Sequence, residues 1–78
     1  MPDGTRQQIF NYIVDYKRHH DGSAPSITEM AKALFLHYST VRYHLLVLET
    51  EGRIRVLGRR AIEIVGGEWD MPDEEAGV

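Results

Sequence analysis

Cysteine is absent from the 78-residue chain, which excludes a disulfide framework, a cysteine-ligated zinc knuckle and a thiol nucleophile. The same lack favours an intracellular chain over a small secreted one, and the expected location is cytoplasmic. Long apolar runs are missing too. Nothing approaches the roughly 18 consecutive apolar residues of a membrane span, and Met1-Pro2-Asp3 opens no signal peptide. Aromatic residues make up only 9%, and the length leaves room for one small core, because a chain of this size buries only about 60% of the surface its unfolded form exposes. An enzyme with a deep pocket of its own is therefore not expected. The residues show no nucleophile–base pair, no metal-ligand spacing and no phosphate-binding loop, so neither a cofactor nor a metal is expected. What is present, 42% hydrophobic and 27% charged residues, suits a folded globular domain.

Basic charge is scarce overall, with a formal net charge of −3, and a polyanionic partner looks disfavoured at first. Dividing the charge reverses that inference. Residues 66–78 hold Glu68, Asp70, Asp73, Glu74 and Glu75 with no base, whereas residues 1–65 carry all nine Lys/Arg against seven acids, a charge of +2. The expected organisation is a mildly basic domain over 1–65 and an acidic, disordered tail over 66–78, punctuated by Gly66-Gly67, Pro72 and Gly77. Trp69 is the aromatic exception in that tail. It suits either folding back onto the domain or a short partner-binding motif.

Helical periodicity organises the first two thirds of the chain. Thr5-Arg6-Gln7-Gln8 has the form of a capping box and predicts a helix start at Thr5. Ile9, Phe10, Ile13, Val14 and Lys17 follow at three- and four-residue spacing, until His19-His20-Asp21-Gly22-Ser23 ends the pattern. The two histidines read as last-turn residues beside the negative helix end rather than as a metal pair. Ser26 and Glu29 form a second capping box behind Pro25, and Met30, Ala31 and Leu34 give a short helix its apolar stripe. A third helix, starting at His37 or Ser39, places Val41, Leu45 and Leu48 on one side and ends at Glu51-Gly52. Two short helices joined by a tight turn are a helix-turn-helix.

After Gly52 the period changes to two. Arg53-Ile54-Arg55-Val56-Leu57 and Ala61-Ile62-Glu63-Ile64-Val65 both alternate. One buried face requires Ile54 opposite Ile64 and Val56 opposite Ile62, which leaves Gly58-Arg59-Arg60 as a three-residue loop. The fold class is α+β, mostly α: three helices followed by a two-stranded β-hairpin, a winged helix-turn-helix.

Five ordered stretches now resemble the DNA-binding domain of the LexA repressor family. They are Thr5-Arg6-Gln7-Gln8-Ile9-Phe10, Ala24-Pro25-Ser26-Ile27-Thr28-Glu29-Met30-Ala31, Ser39-Thr40-Val41-Arg42-Tyr43-His44-Leu45, Gly52-Arg53-Ile54-Arg55 and Arg60-Ala61-Ile62-Glu63-Ile64, and the resemblance covers about five sixths of the chain. It implies a transcriptional regulator, a repressor in that family, that binds double-stranded DNA sequence-specifically with the third helix in the major groove and the wing on the backbone. It also implies what is not expected, since the family's self-cleaving, dimerising second domain has no counterpart after Val65. Phe35 departs from the pattern where many such turns use glycine, and the turn is one residue short of those typical of the family.

DNA-facing positions follow from the third helix's polar side. Ser39, Thr40, Arg42 and Tyr43 lie opposite the stripe of Val41, Leu45 and Leu48. Arg42 suits reading a guanine through O6 and N7, or clamping a phosphate, or lying solvated. Tyr43 suits a thymine methyl, a sugar, or packing over the neighbouring helix. Ser26 and Thr28 at the second helix's start, and Arg59 and Arg60 at the wing, suit phosphate contacts, with capping and solvation as the plain alternatives. His44 reads as a packed structural histidine. Leu46 and Val47 widen the apolar stripe and offer a homodimer surface or simple cover by neighbouring elements. The competing function is a protein–protein interaction module or dimerising adaptor working through Leu46, Val47, Trp69 and the tail. The tail itself suits competition with phosphate that suppresses non-specific binding.

Overall fold

The computed structural model describes residues 2–66, so the expectations for the tail and for Trp69 lie outside the described residues. The elements follow the order α1 (Pro2–His19), α2 (Ile27–Leu34), α3 (Tyr38–Thr50), β1 (Ile54–Gly58) and β2 (Ala61–Ile64). Three helices followed by a two-stranded antiparallel sheet make a winged helix-turn-helix.

Helix α1 starts three residues earlier than the Thr5 capping box predicts. A proline in the first helical position sacrifices no hydrogen bond, because that N–H has no intrahelical partner in any helix, and its fixed φ already suits the helix. Thr5 and Gln8 therefore lie inside the helix, and their capping-box spacing caps nothing. The rest of the pattern holds: Ile9 and Ile13 are fully buried, and Phe10, Tyr12 and Val14 pack against the core from its edge. Lys17, Arg18 and His19 occupy the last turn, where the backbone's partial negative charge favours cations. His20 just beyond stacks on Tyr16 with ring centroids 3.7 Å apart.

Helix α2 is capped as its sequence demands. The Ser26 hydroxyl accepts from the Glu29 amide at 3.2 Å, and the Glu29 carboxylate accepts from the Ser26 amide at 2.9 Å. At its other end Phe35 adopts a left-handed conformation, φ 58° and ψ 46°. The Leu36 amide donates to the Ala31 carbonyl at 2.9 Å and the Phe35 amide to the Lys32 carbonyl at 3.4 Å, the two bonds of a Schellman closure. An aromatic residue thus performs the turn that glycine performs at no steric cost. Helix α3 begins at Tyr38 behind an extended His37, which makes no side-chain cap, and stops where Gly52 takes φ 79°. Its buried residues are Val41, His44, Leu45 and Leu48.

The hairpin pairs Ile54 with Ile64 and Val56 with Ile62, as one buried face requires. The loop differs from the three-residue expectation. Gly58 pairs with Ala61, so the connection is the two-residue turn Arg59-Arg60, and Leu57 is an extra residue bulged out of β1. The bulge resolves the conflict between a short turn and the required register: it absorbs one residue and keeps all three isoleucines inward, and Leu57 lies exposed. Ile54, Ile62 and Ile64 close the core over Ile9, Ile13, Met30, Val41, Leu45 and Leu48.

Long-range polar ties fix the hairpin against the helices. The Lys17 ammonium donates to the Gly22 carbonyl at 2.8 Å and to the Ile62 carbonyl at 2.7 Å, so the end of α1 holds both its own following loop and β2. The Ala24 amide donates to the Arg60 carbonyl at 3.0 Å. Among the described residues no helix is long and apolar enough to cross a membrane.

Candidate nucleic-acid interface

Helix α3 rotates about 100° per residue, so Val41, His44, Leu45 and Leu48 define one side and fix which residues face away. Ser39, Arg42 and Tyr43 are exposed on the outward side, and Thr40 is half-buried at its edge. These residues occupy the first two turns of the helix. No acidic residue lies in its first turn, which leaves Arg42 as the charge on that part of the face. Tyr43 is 57% exposed, and its ring meets His44 edge-on at a centroid distance of 5.2 Å.

The wing and the start of α2 converge beside this helix. Ser26, Thr28, Tyr38, Arg59 and Arg60 line one open cleft of about 580 Å³, floored by Pro25, Leu45 and Ile62. The cleft brings together four of the residues singled out from the sequence, and it adds Tyr38, which the sequence reading passed over. The available signal was positional: the residue directly after an extended N-cap opens the helix and faces whatever precedes it. Ser39, Thr40, Arg42 and Tyr43 continue from Tyr38 along α3.

The two wing arginines differ. Arg59 is exposed at the turn. The Arg60 guanidinium instead donates to the Glu29 carboxylate at 2.9 Å and to the Tyr16 hydroxyl at 3.4 Å, while its side chain remains 51% exposed. Glu29 therefore does double work, closing the α2 cap and holding the wing. Its carboxyl is lowered below the ordinary carboxylate value by the Ser26 amide first and the Arg60 side chain second. Arg60 is raised further by its bond to Glu29 and then by Tyr16. Residues 29 and 60 are 31 apart in sequence, so no local pattern announces this pairing. Arg55 is likewise paired across the strands with Glu63 at 3.2 Å.

His44 is buried, and its Nδ1 accepts from the Arg6 guanidinium at 3.3 Å. Burial pushes its pKa below the ordinary histidine value, and the Arg6 charge adds to that. The expected packed structural role holds. Among the described residues no group of three His, Cys, Asp or Glu could hold a metal ion. Leu46 differs from expectation. It lies about 150° around the helix from the centre of the buried stripe and is 54% exposed, so it does not adjoin the core; Val47, on the flank, is the half-buried one.

The LexA DNA binding domain family matches residues 4–61. A LexA repressor of Herpetosiphon aurantiacus is 37% identical over 70 residues, covering 86% of this chain and 32% of that protein. The chain thus spans about a third of the length of that relative. No solved structure matches the chain. The match runs from α1 through the turn of the wing and includes the whole helix-turn-helix. The chain is a member of the LexA DNA-binding domain family, a winged helix-turn-helix of LexA-like regulators that bind DNA.

Proposed function

We propose that the protein binds double-stranded DNA sequence-specifically, with α3 in the major groove and the wing on the adjacent backbone, as a cytoplasmic LexA-like transcriptional regulator. The observation that carries this reading is the outward face of α3, where Ser39, Arg42 and Tyr43 stand exposed opposite the core, beside a cleft lined by Ser26, Thr28 and Arg59. The major groove is about 12 Å wide and admits one helix. With α3 in it, Arg42 reads a guanine through O6 and N7, a pairing worth roughly 1–3 kcal/mol of discrimination. Ser39, Thr40 and Tyr43 contact sugar, phosphate or a thymine methyl. Ser26 and Thr28 offer a hydroxyl and the amides of the α2 N-terminus to a phosphate. Arg59 approaches the neighbouring backbone from the wing. Arg60 works from its tether to Glu29, holding the wing at the height of the α2 N-terminus and presenting its outer edge to the same phosphates.

Fluorescence anisotropy on a pool of random duplexes, titrated with salt, tests the reading. Affinity falls steeply as salt rises, because each neutralised phosphate releases counterion. Arg42→Ala flattens the sequence preference recovered by selection from the pool. Arg59→Ala weakens all duplexes alike and reduces the salt slope by about one phosphate. Binding that is absent or indifferent to salt would falsify the proposal.

A further inference from the structure

The outward face of α3 is apolar at its centre. Leu46 is 54% exposed and Tyr43, one turn earlier, is 57% exposed; both lie about 150° from the middle of the buried stripe, so they are neighbours on the side farthest from the core. Arg42 is one full turn before Leu46 on the same side. A single exposed leucine needs no explanation, but here the apolar pair sits at the centre of the face that the proposed reading turns toward DNA.

Two occupants compete for such a face, a second copy of the chain and the base edges of the duplex. Size argues against the copy. The exposed strip of a 13-residue helix is about 20 Å long and roughly 10 Å wide, on the order of 200 Å², against the roughly 800 Å² per partner of a stable interface. Charge argues for the duplex. The strip's charged side chain in its first two turns is Arg42, and the acid within α3, Glu49, accepts from the Val56 amide of the wing at 3.3 Å. A polyanion therefore meets a cation and apolar atoms there, with the acid directed aside.

We propose that Leu46 is a specificity-determining residue that packs on the C5-methyl group of a thymine, with Tyr43 beside it, so that the target carries a thymine near the base pair read by Arg42. The proposal rests on the reading of α3 as the groove-bound helix. The thymine methyl is the one apolar group that the major-groove edges of the four base pairs display, which makes it the natural partner of a leucine side chain. The separation follows from geometry. Four residues advance about 6 Å along the helix axis, and base pairs stack every 3.4 Å, so Leu46 meets the duplex about two base pairs from Arg42 when the helix follows the groove.

Removing the methyl group alone tests this. Duplexes are selected from a random pool by the wild-type protein and by Leu46→Ala, and each thymine of the wild-type consensus is then replaced singly by uracil. The expected result is one thymine, about two base pairs from the position that Arg42→Ala relaxes, whose replacement weakens wild-type binding by about four-fold, the worth of burying one methyl group. The same replacement leaves Leu46→Ala unchanged, and Leu46→Met keeps the sensitivity. Because Leu46 is exposed, Leu46→Ala folds as the wild type does, which circular dichroism verifies. Salt-sensitive binding with indifference to uracil at every thymine overturns the role of Leu46 and leaves the DNA-binding reading standing. A concentration-dependent doubling of molar mass that Leu46→Ala abolishes assigns the face to a second copy and overturns it as well. Absence of any salt-sensitive binding sinks both readings together.

Discussion

His44 shows how one residue on the recognition helix serves the fold rather than the ligand. It falls among Val41, Leu45 and Leu48, takes a hydrogen bond from Arg6 and has its pKa pushed down by burial. The folded protein therefore holds this imidazole neutral more firmly than the unfolded chain, whose value is the ordinary 6.5. Between the two values the unfolded chain binds the extra proton, so stability is complete above about pH 6.5 and is lost as pH falls toward the folded value. Urea midpoints measured at pH 7.5 and 5.5 will show a drop for the wild type and a smaller one for His44→Gln. Glu29 acts in a separate window, because its lowered value makes its contribution complete above 4.5 and lost below. At this scale the sequence was legible wherever periodicity alone decides burial. The stripe of Val41, Leu45 and Leu48 on α3 is buried as its periodicity predicts, but Leu46, expected to widen that stripe with Val47, is 54% exposed, because adjacency in sequence to Leu45 and Val47 hides a rotation of about 100° from each.

The element scale is set by the turn between α2 and α3. Phe35 is 93% exposed and left-handed, so its ring contributes no core packing while its Cβ carries the strain of that backbone region. Phe35→Gly is expected to stabilise the protein by about 1 kcal/mol in urea unfolding, with the Schellman bonds from Leu36 and Phe35 unchanged. Had the ring been packed, the same substitution would destabilise. The departure from glycine was visible in the sequence; that the chain keeps the left-handed geometry and leaves the ring in solvent was not, since both follow from how α3 must cross α2. The hairpin gives the converse lesson. Alternation dictated which isoleucines face inward, and the bulge at Leu57 is how the backbone satisfies that register with a two-residue turn.

For the whole molecule, small size governs both stability and binding. A described fold of this length has a stability on the order of 3–10 kcal/mol at roughly 0.05–0.15 kcal/mol per residue. Leu48 is fully buried in the cluster that the three helices and the hairpin share. Leu48→Ala should cost about 2–5 kcal/mol, and thermal melting will show most of the protein's margin removed. Charge also acts at this scale. Residues 1–65 carry +2 and residues 66–78 carry five acids without a base, and we propose that these acids compete with phosphate for the basic domain. Removing residues 67–78 is expected to raise affinity for random duplexes several-fold at low salt, with the gain shrinking as salt screens the charges.

By itself the sequence determined the order of elements, the inward residues of each, the α2 cap and the strand register, because each of these follows from periodicity or from groups within a few residues of one another. The division of charge along the chain was equally legible. Only the tertiary structure decided which candidate side chains meet. It gathered Ser26, Thr28, Tyr38, Arg59 and Arg60 around one cleft and turned Arg60 inward to Glu29 and Tyr16. Those relations join residues distant in sequence. The apolar stripe of a helix announces its roll, but no local pattern pairs side chains as far apart as Arg60 and Glu29.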